Sequence, residues 1–136
     1  MRTTTFPRKM VLALVSAAQK SPGQEVCGLV SRANCGEHHH YAIANVAHHP
    51  ERFFAMDPTE LIAAFKSMRQ RGEILTALYH SHPNGYAEPS ATDIAEHAYP
   101  EALCLILAHG GNGTPILKAF DLSLHDQIQA VHLILQ

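Results

Sequence analysis

The chain has 136 residues, 46% of them hydrophobic, which is the size of one core-forming domain and too apolar for a disordered segment. Lys and Arg number 10 against 12 Asp and Glu, for a net charge of −2. No basic stripe is present, which argues against nucleic acid as the partner. Three cysteines occur without a C-x-x-C pair, so neither a disulfide framework nor a thiolate zinc knuckle is indicated, and a reducing, cytoplasmic setting is the simpler expectation. No apolar run approaches the roughly 18 residues of a membrane span, so no membrane partner is expected.

The first stretch, MRTTTFPRK followed by MVLALVSAA, imitates a secretory signal, with a basic head and a short apolar run. The rival reading is an amphipathic helix: Met10, Val11, Leu14, Val15 and Ala18 recur at helical spacing and Pro7 suits a first turn. The helix is preferred. Ser21-Pro22-Gly23 breaks it, and Glu25 opens a β-like run, EVCGLVS. Asn34-Cys35-Gly36 reads as a hairpin turn with Tyr41 to Val46 as the return strand. His38, His39 and His40 near that turn could be a metal tract, but no other ligand type converges on them, so they are read as solvated. His48-His49-Pro50 is read as loop.

Asp57-Pro58-Thr59-Glu60 is a helix start, with Asp57 as cap, Pro58 at the first helical position and Glu60 completing a box. Leu61, Ile62, Phe65 and Met68 form its apolar stripe, and Gly72 is the stop. Glu73 to Tyr79 is a buried strand that delivers His80 and His82 at its C-terminal end. Pro83-Asn84-Gly85 turns the chain, and Ser90 starts a second short helix. Leu103 to Ala108 and Ile116 to Phe120 are strands around a Gly-rich turn at 110–113. The last segment fits either a helix, through Ile128, Val131 and Leu135, or a closing strand, VHLIL. This order predicts an α/β domain of the α+β type spanning residues 1–136, with a central mixed, mostly antiparallel sheet flanked by helices. The hairpin signals and the absence of a Gly-rich phosphate loop disfavour a doubly wound sheet.

His80 and His82 are the candidate chemistry. On a strand, residues i and i+2 point the same way, so both imidazoles can meet one ion. The chain holds 11 histidines, so chance pairs are common and each of these two alone reads as a packed or loop residue. Asp93, eleven residues beyond His82, could supply the third ligand. Two His nitrogens, one carboxylate oxygen and an open fourth position make the donor set of a catalytic zinc site. Ser90-x-x-Asp93 is equally a capping box, and both roles can coexist if Ser90 caps while Asp93 turns to the metal. Amide hydrolysis also needs a group to take and return a proton. Glu25 leads because a carboxylate opening an apolar strand is costly without a partner. Glu88 and Glu96 are rivals, read as solvated charges.

QEVCGLV at 24–30, HSHP at 80–83, and Ser90 with Asp93 together resemble the JAMM (MPN+, Mov34/PAD-1-like, JAB) metalloprotease family. That family's pattern is a glutamate on an early strand, H-[ST]-H-P and S-x-x-D. The resemblance runs from the first helix to about Phe120, and implies a JAMM/cytidine-deaminase-like fold with a strand at the C-terminus. It implies zinc on His80, His82 and Asp93 with water in the fourth position, Glu25 as general base and then acid, and Ser90 as stabiliser of the oxyanion. It further implies cleavage after the C-terminal glycines of ubiquitin-like proteins. The short chain is similar to compact prokaryotic members, which act on sulfur-carrier conjugates. A non-catalytic scaffold of the same fold is the alternative, but no ligand position is vacant here. A zinc deaminase would need H-x-E with P-C-x-x-C, and a zincin H-E-x-x-H; neither occurs. Oligomeric state is not expressed in these motifs.

Overall fold

The computed structural model describes residues 2–124 and 126–136. In chain order its elements are β1 (Thr3–Phe6), α1 (Arg8–Gln19), β2 (Cys27–Ala33), β3 (His38–Ile43), α2 (Pro58–Arg71), β4 (Glu73–His82), α3 (Ala91–Glu96), β5 (Leu103–His109), β6 (Pro115–Leu124) and β7 (Gln127–Leu135). The strands form one sheet in the order β1-β7-β6-β5-β4-β2-β3. β1 runs parallel to β7 and β4 parallel to β5, and the other neighbours are antiparallel. The mixed, mostly antiparallel sheet expected from the sequence is the one found.

Both faces of the sheet are covered. Met10, Val11 and Leu14 of α1 pack with Val30, Ala77, Tyr79, Leu105 and Val131 on one face. Ala64 and Met68 of α2 pack with Leu29, Leu78, Ile106, Phe120 and Leu122 on the other. Fully burying each large apolar side chain contributes roughly 1.5–3 kcal/mol. Because strand side chains alternate, Ala77 and Tyr79 of β4 face α1, while Leu78 and the two histidines beyond it face the α2 side.

Several elements differ from the sequence reading. The signal-like head is built into the fold instead: Thr3–Phe6 pairs with His132–Leu135 and Phe6 is buried in the core. Pro7 is the N-cap of α1, not a residue of its first turn. The return strand of the first hairpin starts earlier, so His38, His39 and His40 lie on β3. The last segment, open between helix and strand on its residues, is the strand that the resemblance implies, paired on both sides. Asp57 caps α2 by accepting from the Glu60 amide at 3.0 Å, but the Glu60 carboxylate accepts from the Ala44 amide at 3.1 Å, so the box is not reciprocal. Ile62, expected in the α2 stripe, is 69% exposed, and Ala64 takes the buried position beside Met68. Gly72 ends α2 in the left-handed conformation, φ 67°, as its type favours.

A buried carboxylate ties the β2–β3–β4 corner. Glu73 accepts from the Ser31 hydroxyl at 2.8 Å and the Tyr41 hydroxyl at 2.6 Å, with His39 3.4 Å away. Burial alone would push its carboxyl up; the Tyr41 and Ser31 hydrogen bonds, with His39 and Arg71, outweigh that and hold it below the ordinary range. His39 therefore serves this corner, and His38 and His40 pack edge-on against Phe6 and Tyr79.

Gly28 is the tightest point of the sheet. It pairs with Tyr79, and a Cβ there would overlap the Tyr41 carbonyl and the Tyr79 ring. Gly28→Ala is therefore expected to cost about 1–3 kcal/mol or more through overpacking. Urea unfolding would measure it, and an unchanged midpoint would mean that β2 moves away from Tyr79 freely.

Candidate active site

The site gathers at the end of β4, on the α2 face. Both histidines lie within β4 itself, three residues beyond the end expected from sequence. His80 is fully buried and sits between β2 and β5, opposite Cys27 and Ile106. Ser81 points the other way and fastens the chain that precedes β2: its hydroxyl accepts from the Val26 amide at 2.9 Å, and its amide donates to the Val26 carbonyl at 3.0 Å. That stitch brings the adjacent Glu25 beside His80. Glu25 precedes β2, does not belong to it, and is 5% exposed.

Glu25 Oε1 lies 3.6 Å from His80 Nδ1, too far for a hydrogen bond. Both atoms are buried with no hydrogen-bond partner among the described residues. On the other edge of the ring, His80 Nε2 is 3.7 Å from Asp93 Oδ2 and 3.6 Å from the Cys104 thiol. The Phe54 ring stacks over the imidazole at 4.4 Å between centroids. Burial pushes the Cys104 thiol up to about 12, so it stays protonated and packs as a thiol, as does Cys27.

His82 Nδ1 is 2.7 Å from the Tyr86 carbonyl. A carbonyl only accepts, so Nδ1 carries the proton and Nε2 is left to bind. Nε2 faces Asp93 Oδ2 at 3.1 Å. Burial opposes charge on both groups. Asp93, with Tyr86 and Glu25, nonetheless raises the His82 pKa, and His82 with His80 and the Ser90 amide pulls the Asp93 carboxyl down to about 2. Two acceptors this close require a cation between them, a proton or a metal ion.

Ser90 and Asp93 form the capping box of α3. The Ser90 hydroxyl accepts from the Asp93 amide at 3.0 Å, and the Ser90 amide donates to Asp93 Oδ2 at 2.9 Å. The same Oδ2 atom meets His82, so the cap and the carboxylate aimed at the histidines coexist. Glu88 and Glu96, the rival carboxylates, are exposed.

One nitrogen of each histidine and one Glu25 oxygen also lie within 4.8 Å of one another. His80 thus has a carboxylate on each side, Glu25 toward Nδ1 and Asp93 toward Nε2. The chemistry of the donor set and the two orphaned buried atoms fit a divalent metal ion such as zinc. No comparable cluster forms at His38–His40 among the described residues.

Two residues without any sequence signal shape this site. Phe54 covers His80, and Asn45 holds the loop that carries Phe54. The Asn45 amide donates to the Glu25 and Phe53 carbonyls at 2.9 and 3.0 Å, and its oxygen accepts from the Ala47 and Ala55 amides at 3.0 Å. Every hydrogen-bonding position of that side chain is used, which locks the loop to the main chain of Glu25.

Known proteins resemble this chain in sequence and in fold. A desampylase of Haloferax volcanii is 32% identical over 102 residues, 71% of each chain. A CysO-cysteine peptidase of Mycobacterium tuberculosis is 27% identical over 95 residues, 68% of this chain and 64% of that one. The solution structure of a Desulfitobacterium hafniense protein superposes with a TM-score of 0.82 at 29% identity, covering 97% of this chain and 92% of that one. A JAB1/MPN domain protein of Archaeoglobus fulgidus shares the fold, with a TM-score of 0.58 at 15% identity over 98% and 99% of the two chains. The family described as prokaryotic homologs of the JAB domain matches residues 7–123, and the chain belongs to that family.

Proposed function

We propose that this chain is a zinc-dependent metallopeptidase that hydrolyses the amide bond after the terminal glycine of a ubiquitin-like or sulfur-carrier protein. The carrying observation is the buried Glu25 oxygen that has no hydrogen-bond partner and faces His80. A carboxylate is kept in such a place at a cost in stability, which a catalytic proton acceptor explains and a scaffold role does not. The names of the two curated relatives, a desampylase and a CysO-cysteine peptidase, support the substrate class.

In this reading His80, His82 and Asp93 hold the zinc ion. Zinc supplies a Lewis acid that polarises the scissile carbonyl and acidifies the attacking water. Glu25 takes the proton from that water and later delivers it to the leaving amine. Tyr86 keeps the His82 proton on Nδ1, and Phe54 shields His80 from solvent. The Ser90 oxygen accepts from the Asp93 amide, which leaves its own O–H free to donate to the substrate oxygen as charge develops there.

Residues 1–136 form one such domain in this proposal. The free cysteines Cys27, Cys35 and Cys104 suit a reducing cytoplasm. Among the described residues, no helix is long and apolar enough to cross a membrane. The test pairs metal analysis of the purified chain with cleavage of a panel of ubiquitin-like fusions. About one zinc per chain, and hydrolysis abolished by chelation and restored by zinc, are expected. Hydrolysis that proceeds undiminished in a chelated, metal-free sample would refute the reading.

A further inference from the structure

Between the two histidines of β4 lies Ser81, whose side chain works on the opposite face of the sheet. β2 and β4 pair as far as Cys27, which stands opposite His80, so Val26 and Ser81 are the next pair along the ladder. Antiparallel residues bonded in this register exchange two main-chain hydrogen bonds. Here one is made between main chains, from the Ser81 amide to the Val26 carbonyl at 3.0 Å. The Val26 amide donates instead to the Ser81 hydroxyl at 2.9 Å. A side-chain oxygen thus stands in for a strand carbonyl, and β2 begins only at Cys27.

The residue before this junction is Glu25. Val26 packs against the α1 core, so alternation turns Glu25 to the other face, 3.6 Å from His80. Its main chain has two further anchors, the Pro50 carbonyl at its amide and Asn45 at its carbonyl. Both belong to the loop after β3, whereas Ser81 is on the strand that carries His80. Ser81 itself is 5% exposed and borders a small cavity lined by Val15, Ala18 and Leu107. An apolar residue would suit those neighbours; a hydroxyl is explained by the amide it satisfies. We infer that Ser81 is a positioning residue for proton transfer, its hydroxyl setting where the Glu25 carboxylate stands relative to the reacting centre. This role rests on the function proposed above and involves no contact with substrate or metal. Without the hydroxyl the Val26 amide loses its partner, and the segment shifts to recover one, carrying Glu25 with it. A misplacement of about 1 Å can cost about 10²-fold in rate.

The test compares two replacements of the same shape in the zinc-loaded full chain, on whichever ubiquitin-like fusion of the panel is cleaved. Ser81→Thr keeps the hydroxyl and is expected to hold kcat within a few-fold. Ser81→Val lacks it and is expected to lower kcat by about 10²-fold, with zinc content and KM little changed. In a single-turnover assay on the Glu25→Gln background, Ser81→Val is expected to cost less than twofold more, because the group it positions is already gone. Equal rates for the two replacements, loss of zinc along with turnover, or a full second loss on the Glu25→Gln background each overturn this role and leave the hydrolase reading intact. Should Ser81→Val fail to fold, Ser81→Ala takes its place in the same comparison. An unaltered, zinc-loaded chain that cleaves no fusion overturns both.

Discussion

Glu25→Gln is expected to retain zinc and lose turnover by about 10²–10⁴-fold in kcat. Glutamine keeps the shape of glutamate and can still occupy the space beside His80, but it cannot take a proton from water. The Glu25 main chain is fixed independently of its side chain, by Asn45 at its carbonyl and by the Pro50 carbonyl at its amide, 2.7 Å away. The substitution should therefore leave the site's outline in place. Its thermal transition should be no lower than that of the unaltered chain, because the buried carboxylate oxygen it removes has no hydrogen-bond partner to lose. Metal content, kcat and melting temperature on one preparation check all three expectations. Turnover within a few-fold of the unaltered chain would hand proton transfer to another group.

The parts of this site that were legible in the sequence are those whose signal is local. His80 and His82 announce themselves because a strand repeats every two residues, and Ser90-x-x-Asp93 because a capping box has fixed spacing. Glu25 was legible as a charge where an apolar run begins. The hidden parts depend on contacts between distant segments. Thr3–Phe6 becomes a strand only because β7, at the far end of the chain, offers an edge, and a run of threonines behind a basic residue carries no such information. Phe54 and Asn45 lie in the irregular stretch between β3 and α2, where no periodicity marks a functional residue, and their roles come from what the loop folds over. The carbonyl that sets the His82 tautomer belongs to the backbone of Tyr86, and a main-chain contact leaves no trace in residue type. Ile62 shows the opposite error: its spacing fitted the α2 stripe, yet α2 turns it outward and buries Ala64.

Asp93→Asn is expected to weaken zinc binding by more than about 100-fold, since altering a mere supporting partner of a ligand already costs 10–100-fold, and to abolish hydrolysis with it. The geometry around His80 leaves two ligand sets open. Asp93 faces its Nε2 edge at 3.7 Å and also meets His82 at 3.1 Å. Glu25 faces the Nδ1 edge at 3.6 Å and completes the tighter three-residue cluster. Asp93 is the better ligand because a single carboxylate oxygen faces both imidazoles. Asparagine can still accept from the Ser90 amide, so the capping box of α3 should survive and circular dichroism should report a folded chain. The two variants then separate the roles. If Asp93→Asn loses the metal while Glu25→Gln keeps it, the ion sits on His80, His82 and Asp93 and Glu25 is left for proton transfer. If the losses are reversed, the ion belongs to Glu25, His80 and His82, and Asp93 is reduced to a cap that happens to touch a histidine.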